Sequence, residues 1–121
     1  MLIKFKNMNE KVTYEDFKKL DIRIGKIIEA ENVPKSRALV KLMVDIGEDK
    51  LRQIVAGISQ YYKPKELINR KILVLTNLQP RKLMGLESQG MLLAADVEHQ
   101  PFLLKLPDYA EDDIPPGTKI S

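Results

Sequence analysis

The sequence predicts an all-β fold, a small antiparallel barrel of five strands with one helix between the third and the fourth. Three observations lead there. Short segments alternating polar and apolar residues with period two recur between residues 21 and 56. Glycines stand inside or just beyond them, at Gly25, Gly47 and Gly57, where a small barrel has to bend or turn. Between Ser59 and Asn69 the pattern becomes helical, and an apolar strand follows it.

The elements follow in chain order. Residues 1–12 show no period and read as an N-terminal arm. Thr13 can cap a short helix, Glu15 and Asp16 suit the positive end of its dipole, and Val12 can staple onto Phe17. The helix should end near Leu20. A first strand then runs from Asp21 to Glu31, with Gly25 marking a bulge or sharp bend. Asn32 to Arg37 form a loop. The second strand, Leu39 to Ile46, places Leu42, Val44 and Ile46 on one face and Lys41, Met43 and Asp45 on the other. Gly47-Glu48-Asp49 turns into a third strand from Leu51 to Ala56.

The helix over 59–69 takes Ser59 as a cap and tolerates Pro64 only near a first turn, and Asn69 suits a left-handed end. The fourth strand, Lys71 to Asn77, is nearly all apolar and is expected to be buried on both faces. A long loop, Leu78 to Gln89, leads to a fifth strand over Gly90 to Asp96. A last strand at Phe102 to Leu106 and a proline-rich end complete the chain. Three strands, a helix and two more strands is the order of the OB-fold, a five-stranded Greek-key barrel that commonly binds nucleic acid. Another all-β barrel would fit the strands but leave the inserted helix unexplained. The expected organisation is an arm over 1–12 and one domain over 13–121, with an N-terminal helix and a C-terminal strand extension.

Composition narrows the function. At 121 residues the chain can bury roughly two-thirds of its unfolded surface, and 44% hydrophobic with 31% charged residues is an ordinary globular balance. There is no cysteine and only one histidine, which excludes disulfides, thiolate zinc sites and cysteine nucleophiles. No apolar run approaches the ~20 residues of a membrane helix, and the N-terminus lacks a signal-peptide core, so a soluble cytoplasmic protein with no membrane contact is expected. His99 lies in a polar loop and reads as an exposed turn residue; Asp112-Asp113 reads as a solvated pair. Neither phosphate-loop nor dinucleotide fingerprint occurs. No catalytic residue, metal site or cofactor is expected.

The formal net charge of +3 hides an asymmetry: residues 1–32 carry +1, residues 33–82 carry +7, and residues 83–121 carry −5. A block of +7 suits a polyanion, because each neutralised phosphate releases counterions; the alternative is a solvated cationic surface. The acidic stretch around Asp108 and Glu111-Asp112-Asp113 is expected to face away from nucleic acid.

The segment Asn77 to Met91 joins two barrel strands and combines a carboxamide, the adjacent cations Arg81 and Lys82, the Ser88 hydroxyl and methionines. Arginine forks to a phosphate or stacks on a base, lysine supplies a point charge, and Asn and Ser read base edges or 2′-hydroxyls. Gly85 and Gly90 let backbone approach a ligand. The plainer alternative is an ordinary loop with Met84 and Met91 as core fillers, the preferred reading for Met84. Tyr61-Tyr62 are expected to pack on the core with a hydroxyl at its rim. With 6% aromatics, recognition should rest on charge and shape more than on stacking.

Val55-Ala56-Gly57-Ile58 with Tyr61-Tyr62, Asn77-Leu78-Gln79-Pro80-Arg81-Lys82, Gly85-Leu86-Glu87-Ser88-Gln89-Gly90-Met91 and the opening Asp16-Phe17 to Gly25 together resemble the tRNA-binding domain family. That family includes the C-terminal domain of methionyl-tRNA synthetase, structure-specific tRNA-binding proteins and relatives of the EMAP II cytokine. The resemblance implies an OB-fold that binds tRNA by shape, independently of sequence, often as a homodimer whose contact uses the C-terminal segment. Mapped onto this chain, it implies Asn77, Arg81, Lys82, Ser88 and Met91 as tRNA contacts. Gln79 and Lys63 depart from the pattern, where a lysine and a Thr or Ser cap are common.

Charge and loop position, apart from the resemblance, add Lys35, Arg37, Lys41 and Arg52 as phosphate contacts. The expected function is a non-catalytic module that delivers or retains tRNA for an aminoacyl-tRNA synthetase. Its expected partners are tRNA, a second copy of the chain and the methionyl-tRNA synthetase catalytic subunit. The end at Ser121 favours a separate polypeptide or an excised domain. The alternatives are a dimeric polypeptide-binding secretion chaperone of the same fold and a purely structural oligomerisation module.

Overall fold

The computed structural model describes residues 10–121, so most of the expected arm lies outside the described residues. Thr13 caps α1 (Tyr14–Lys18), its hydroxyl accepting from the Asp16 amide at 3.1 Å, as its place before an acidic first turn requires. Val12 nevertheless stays 74% exposed. A five-stranded antiparallel sheet follows, with β1 (Ile22–Asn32), β2 (Val40–Asp45), β3 (Arg52–Ala56), β4 (Lys71–Leu75) and β7 (Met91–Leu92) in the order β3-β2-β1-β4-β7. Its edges approach each other where the Gln89 amide donates to the Gln53 carbonyl at 2.8 Å, which leaves the barrel nearly closed.

Alternation drives the packing. Val40, Leu42 and Val44 on β2, with Ile46 beyond it, point inward and meet Ile27, Ile54, Ile72, Val74 and Leu67, all at most 1% exposed. Each such aliphatic side chain contributes about 1.5–3 kcal/mol relative to an exposed one. Gly25 is not the bulge. The register slips between Ile27 and Glu29, while a Cβ on Gly25 would sit 2.7 Å from Val44 Cγ1 and 3.0 Å from Val74 Cγ2. Gly25 therefore lets β1 pass over the core just where its pairing moves from β4 to β2.

Five expectations need correction. The helix over 59–69 shrinks to α2 (Pro64–Leu67), because a proline at the first helical position ends any helix arriving from before it. Asn69 does take the left-handed conformation, at φ 70°. β4 buries Ile72 and Val74 but only half-buries Leu73 and Leu75, since its outer face is covered in part by the Leu104–Leu106 segment. The loop over 78–89 contains a hairpin, β5 (Arg81–Leu83) and β6 (Leu86–Ser88), turned by Met84 and Gly85 at φ 52° and 80°. Met84 is accordingly 60% exposed at its tip and fills no core. The fifth strand splits at Leu93 into β7 and β8 (Ala94–Val97), and β8 pairs with β9 (Gln100–Leu103) instead of continuing the barrel.

The C-terminal extension returns to the barrel. The amides of Gly117 and Ile120 donate to the carbonyls of Ile24 and Ile22 at 2.7 and 2.8 Å, covering the edge of β1 that β2 leaves open. Lys71 at the start of β4 donates to the carbonyls of Glu111 and Ile114, fixing the acidic stretch at the end of β4 opposite the hairpin. Tyr62 packs against the core, its hydroxyl accepting from the Leu103 amide at 3.0 Å and donating to the Pro101 carbonyl at 3.3 Å. Tyr61 is 42% exposed.

Candidate nucleic-acid interface

The nine candidates divide by what their side chains already hold. Asn77 is a clamp: its Oδ1 accepts from the Asp21 amide at 2.8 Å and its Nδ2 donates to the Lys19 carbonyl at 2.6 Å. The end of β4 is thereby tied to the junction of α1 and β1. Ser88 is 4% exposed; its hydroxyl accepts from the Val55 amide at 3.0 Å and donates to the Gly90 carbonyl at 3.1 Å. It joins the hairpin to β3 and cannot reach a ligand without breaking that bond. Sequence could not show this, because the partner lies 33 residues away.

Arg52 is equally committed. Nη1 donates to the Thr76 and Gln89 carbonyls at 2.6 and 2.9 Å, and Nε and Nη2 grip both oxygens of Glu48 at 3.2 and 3.1 Å. Lys41 pairs with Glu31 at 2.8 Å. Neither of these two charges stands alone on the surface.

Arg81, Lys82, Lys35 and Arg37 are different. All four are exposed, and among the described residues none has a carboxylate within 4 Å, although Lys82 faces Glu87 in the hairpin register. Met91, 45% exposed, lies beside the hairpin on β7. The two cation groups are held rigidly. Ser36 Oγ accepts from the Ala38 and Leu39 amides at 3.2 and 3.0 Å, with Lys35 left-handed at φ 68°. Ser59 then pins this loop, its hydroxyl donating to the Arg37 carbonyl at 3.0 Å and its amide to the Ala38 carbonyl at 3.0 Å.

Between the pinned loop and the hairpin lies a groove of about 310 Å³, with Leu39, Ala56, Ile58, Leu83 and Met91 among its walls and Arg81 at its edge. The rest of the molecule offers little chemistry. Among the described residues no three His, Cys, Asp or Glu side chains gather as a metal site, and every buried side-chain nitrogen and oxygen has a partner. His99 is an exposed turn residue. The clearest titration shifts belong to ion pairs: two bonds from Arg23, at 3.0 and 2.9 Å, hold the Asp21 carboxyl below its ordinary value. No helix among the described residues is long and apolar enough to cross a membrane.

The family model described as "Putative tRNA binding domain" matches residues 22–119. A methionine–tRNA ligase of Thermotoga maritima is 51% identical over 110 residues, 91% of this chain but 17% of that protein. The ligase of Archaeoglobus fulgidus is 48% identical over 92% of this chain and 16% of its own. This chain thus spans about a sixth of the length of the ligases it matches. Among solved structures, a MetRS-related protein from Pyrococcus horikoshii superposes with a TM-score of 0.83 at 34% identity, covering 93% of this chain and 99% of that one. The chaperone CsaA from Bacillus anthracis superposes at 0.79 with 33% identity, over 93% and 100%.

Proposed function

The chain belongs to the tRNA-binding domain family, and we propose that it binds folded tRNA electrostatically through two unpaired cation groups, Arg81 with Lys82 and Lys35 with Arg37. The observation that carries this reading is that, among the described residues, no carboxylate lies within 4 Å of any of the four, Glu87 opposite Lys82 included. An unpaired cation on a rigid segment gives up little when it meets a phosphate, and phosphate contacts carry no sequence preference. Recognition is then of shape, as suits a folded RNA. Ser88 and Arg52 act behind the surface by fixing the hairpin to the barrel, and Asn77 by tying the end of β4 to the junction of α1 and β1.

The relatedness to methionine–tRNA ligases supports a non-catalytic role in which the domain raises the local tRNA concentration for such an enzyme. We further propose a homodimer through the C-terminal extension, where Val97, Phe102, Leu104 and Tyr109 are 41%, 45%, 44% and 87% exposed. The likeness to CsaA supports a second reading, polypeptide binding at the same groove. A gel shift with total tRNA at two salt concentrations, with an unfolded polypeptide as competitor and the oligomer mass measured alongside, separates these. Salt-sensitive tRNA binding that the polypeptide does not displace is the expected result. Polypeptide binding without tRNA affinity would select the second reading, and a dimer binding neither would leave a structural module.

A further inference from the structure

The groove between the two cation groups has a chemistry of its own. Its lining holds one cation, Arg81, and no carboxylate; most of the rest is aliphatic, with the Met91 thioether on one wall. At about 310 Å³ it lies at the small end of ligand pockets. The Lys35–Arg37 loop is joined to the groove's wall, because Leu39 just after it lines the groove and Ser59, which pins that loop, follows the lining residues Gly57 and Ile58. An apolar slot between cations complements a ligand with an apolar, polarisable body and anionic flanks.

An extended polypeptide fits it poorly. A peptide docking beside β3 would need main-chain donors on that edge, and two that face the hairpin are already used, the Gln53 amide by Gln89 Oε1 at 3.2 Å and the Val55 amide by Ser88 Oγ at 3.0 Å. A nucleotide has no such need. Its base offers a π-face to aliphatic walls and to a thioether, and its neighbouring phosphates are the anions. Building on the tRNA-binding reading above, we propose that this groove receives one unstacked nucleobase of the bound RNA. Arg81 and Arg37 hold the backbone phosphates on its two sides. Binding thus combines phosphate contacts with a single inserted base, and a folded RNA with an extrudable nucleotide is preferred over a fully stacked helix.

Gly57 gives a test that leaves every cation in place. It lines the groove, and a Cβ built there meets nothing within 4 Å, so Gly57→Leu adds an apolar side chain at the groove's wall with no clash at its Cβ. Affinity for total tRNA is measured by fluorescence anisotropy at 50 and 200 mM salt, with circular dichroism reporting the fold. The expected result is about a tenfold loss of affinity with an unchanged salt slope, since a base contact is lost and no phosphate contact is. Wild-type affinity in folded Gly57→Leu would overturn the inserted base while leaving the electrostatic reading intact. Failure of the wild-type chain to bind tRNA at either salt would overturn both. Should the variant not fold, chemical probing of tRNA bound to the wild-type chain decides. One nucleotide newly extruded from its stack supports the proposal, and stacking unchanged throughout the RNA overturns it.

Discussion

Lys41 and Arg52 lie on staves of the barrel, whereas Lys35, Arg37, Arg81 and Lys82 lie on segments outside the five-stranded sheet, and the two groups have met opposite fates. Lys41 and Arg52 each have a carboxylate at hydrogen-bonding distance, 2.8 Å for Lys41 with Glu31 and 3.1 Å for Arg52 with Glu48. Off the sheet none of the four has one within 4 Å among the described residues. The staves are folded by burying their inner faces; Lys41 is met by Glu31 opposite it in register, and Arg52 by Glu48 in the turn before β3. The hairpin and the pinned loop are shaped by turn chemistry and by Ser36, Ser59 and Ser88, which leaves their cations for something outside the chain. The +7 of residues 33–82 therefore overstates what a polyanion can use.

The contrast is broken most severely by reversing the outer charges. Arg81→Glu with Lys82→Glu should lower affinity for tRNA on the order of a hundredfold at low salt, alike for different tRNA species, with the melting temperature nearly unchanged. Gel shifts with several purified tRNAs would check it. Retained affinity would place the RNA elsewhere.

Arg52→Ala should do the opposite, acting on the fold before the RNA. It strips the donor from the Thr76 and Gln89 carbonyls that anchor the hairpin, so a stability loss of about 1–3 kcal/mol is expected in urea unfolding. Affinity per folded molecule should fall only as the hairpin loosens.

Much of this division is invisible to sequence. What could be read depended on local rules: Thr13 before an acidic turn, the alternation of β2, and Asn69 in its left-handed place. The β5–β6 hairpin does carry a signal in Met84-Gly85, a glycine at the second position of a two-residue turn between Leu83 and Leu86. The helix expected over 59–69 places Pro64 near the first turn of its second half, whereas the structure begins the helix at that proline. Splitting of the fifth strand at Leu93 had no such mark. Ser88 and Asn77 read as contact residues from the chemistry of a hydroxyl and a carboxamide and from the family resemblance, neither of which shows what the side chains already hold. Their partners, Val55 and Asp21 with Lys19, come from distant chain and become neighbours only once the barrel closes.

A smaller effect separates the paired Asp21 from the unpaired surface. Arg23 holds the Asp21 carboxyl below its ordinary value, so protons bind it more weakly in the folded chain than in the unfolded one. Its contribution is complete above the unfolded value of about 3.9 and is lost as pH falls through the lower folded value. Wild-type stability should therefore drop below about pH 4, and Arg23→Gln should lessen that dependence in acid-unfolding curves. Least of all should Lys41→Gln matter. Its partner Glu31 is 65% exposed, and such a pair is worth about 0–1 kcal/mol, so tRNA affinity and melting temperature should both stay close to wild type.

The most direct measurement is the slope of log affinity against log salt for total tRNA, compared between the wild-type chain and Arg81→Glu/Lys82→Glu. Two lost phosphate contacts should make the slope shallower by about two, while Lys41→Gln leaves it in place. Equal slopes for the wild-type and doubly reversed chains would contradict the central claim that the unpaired cations outside the sheet are what holds the RNA.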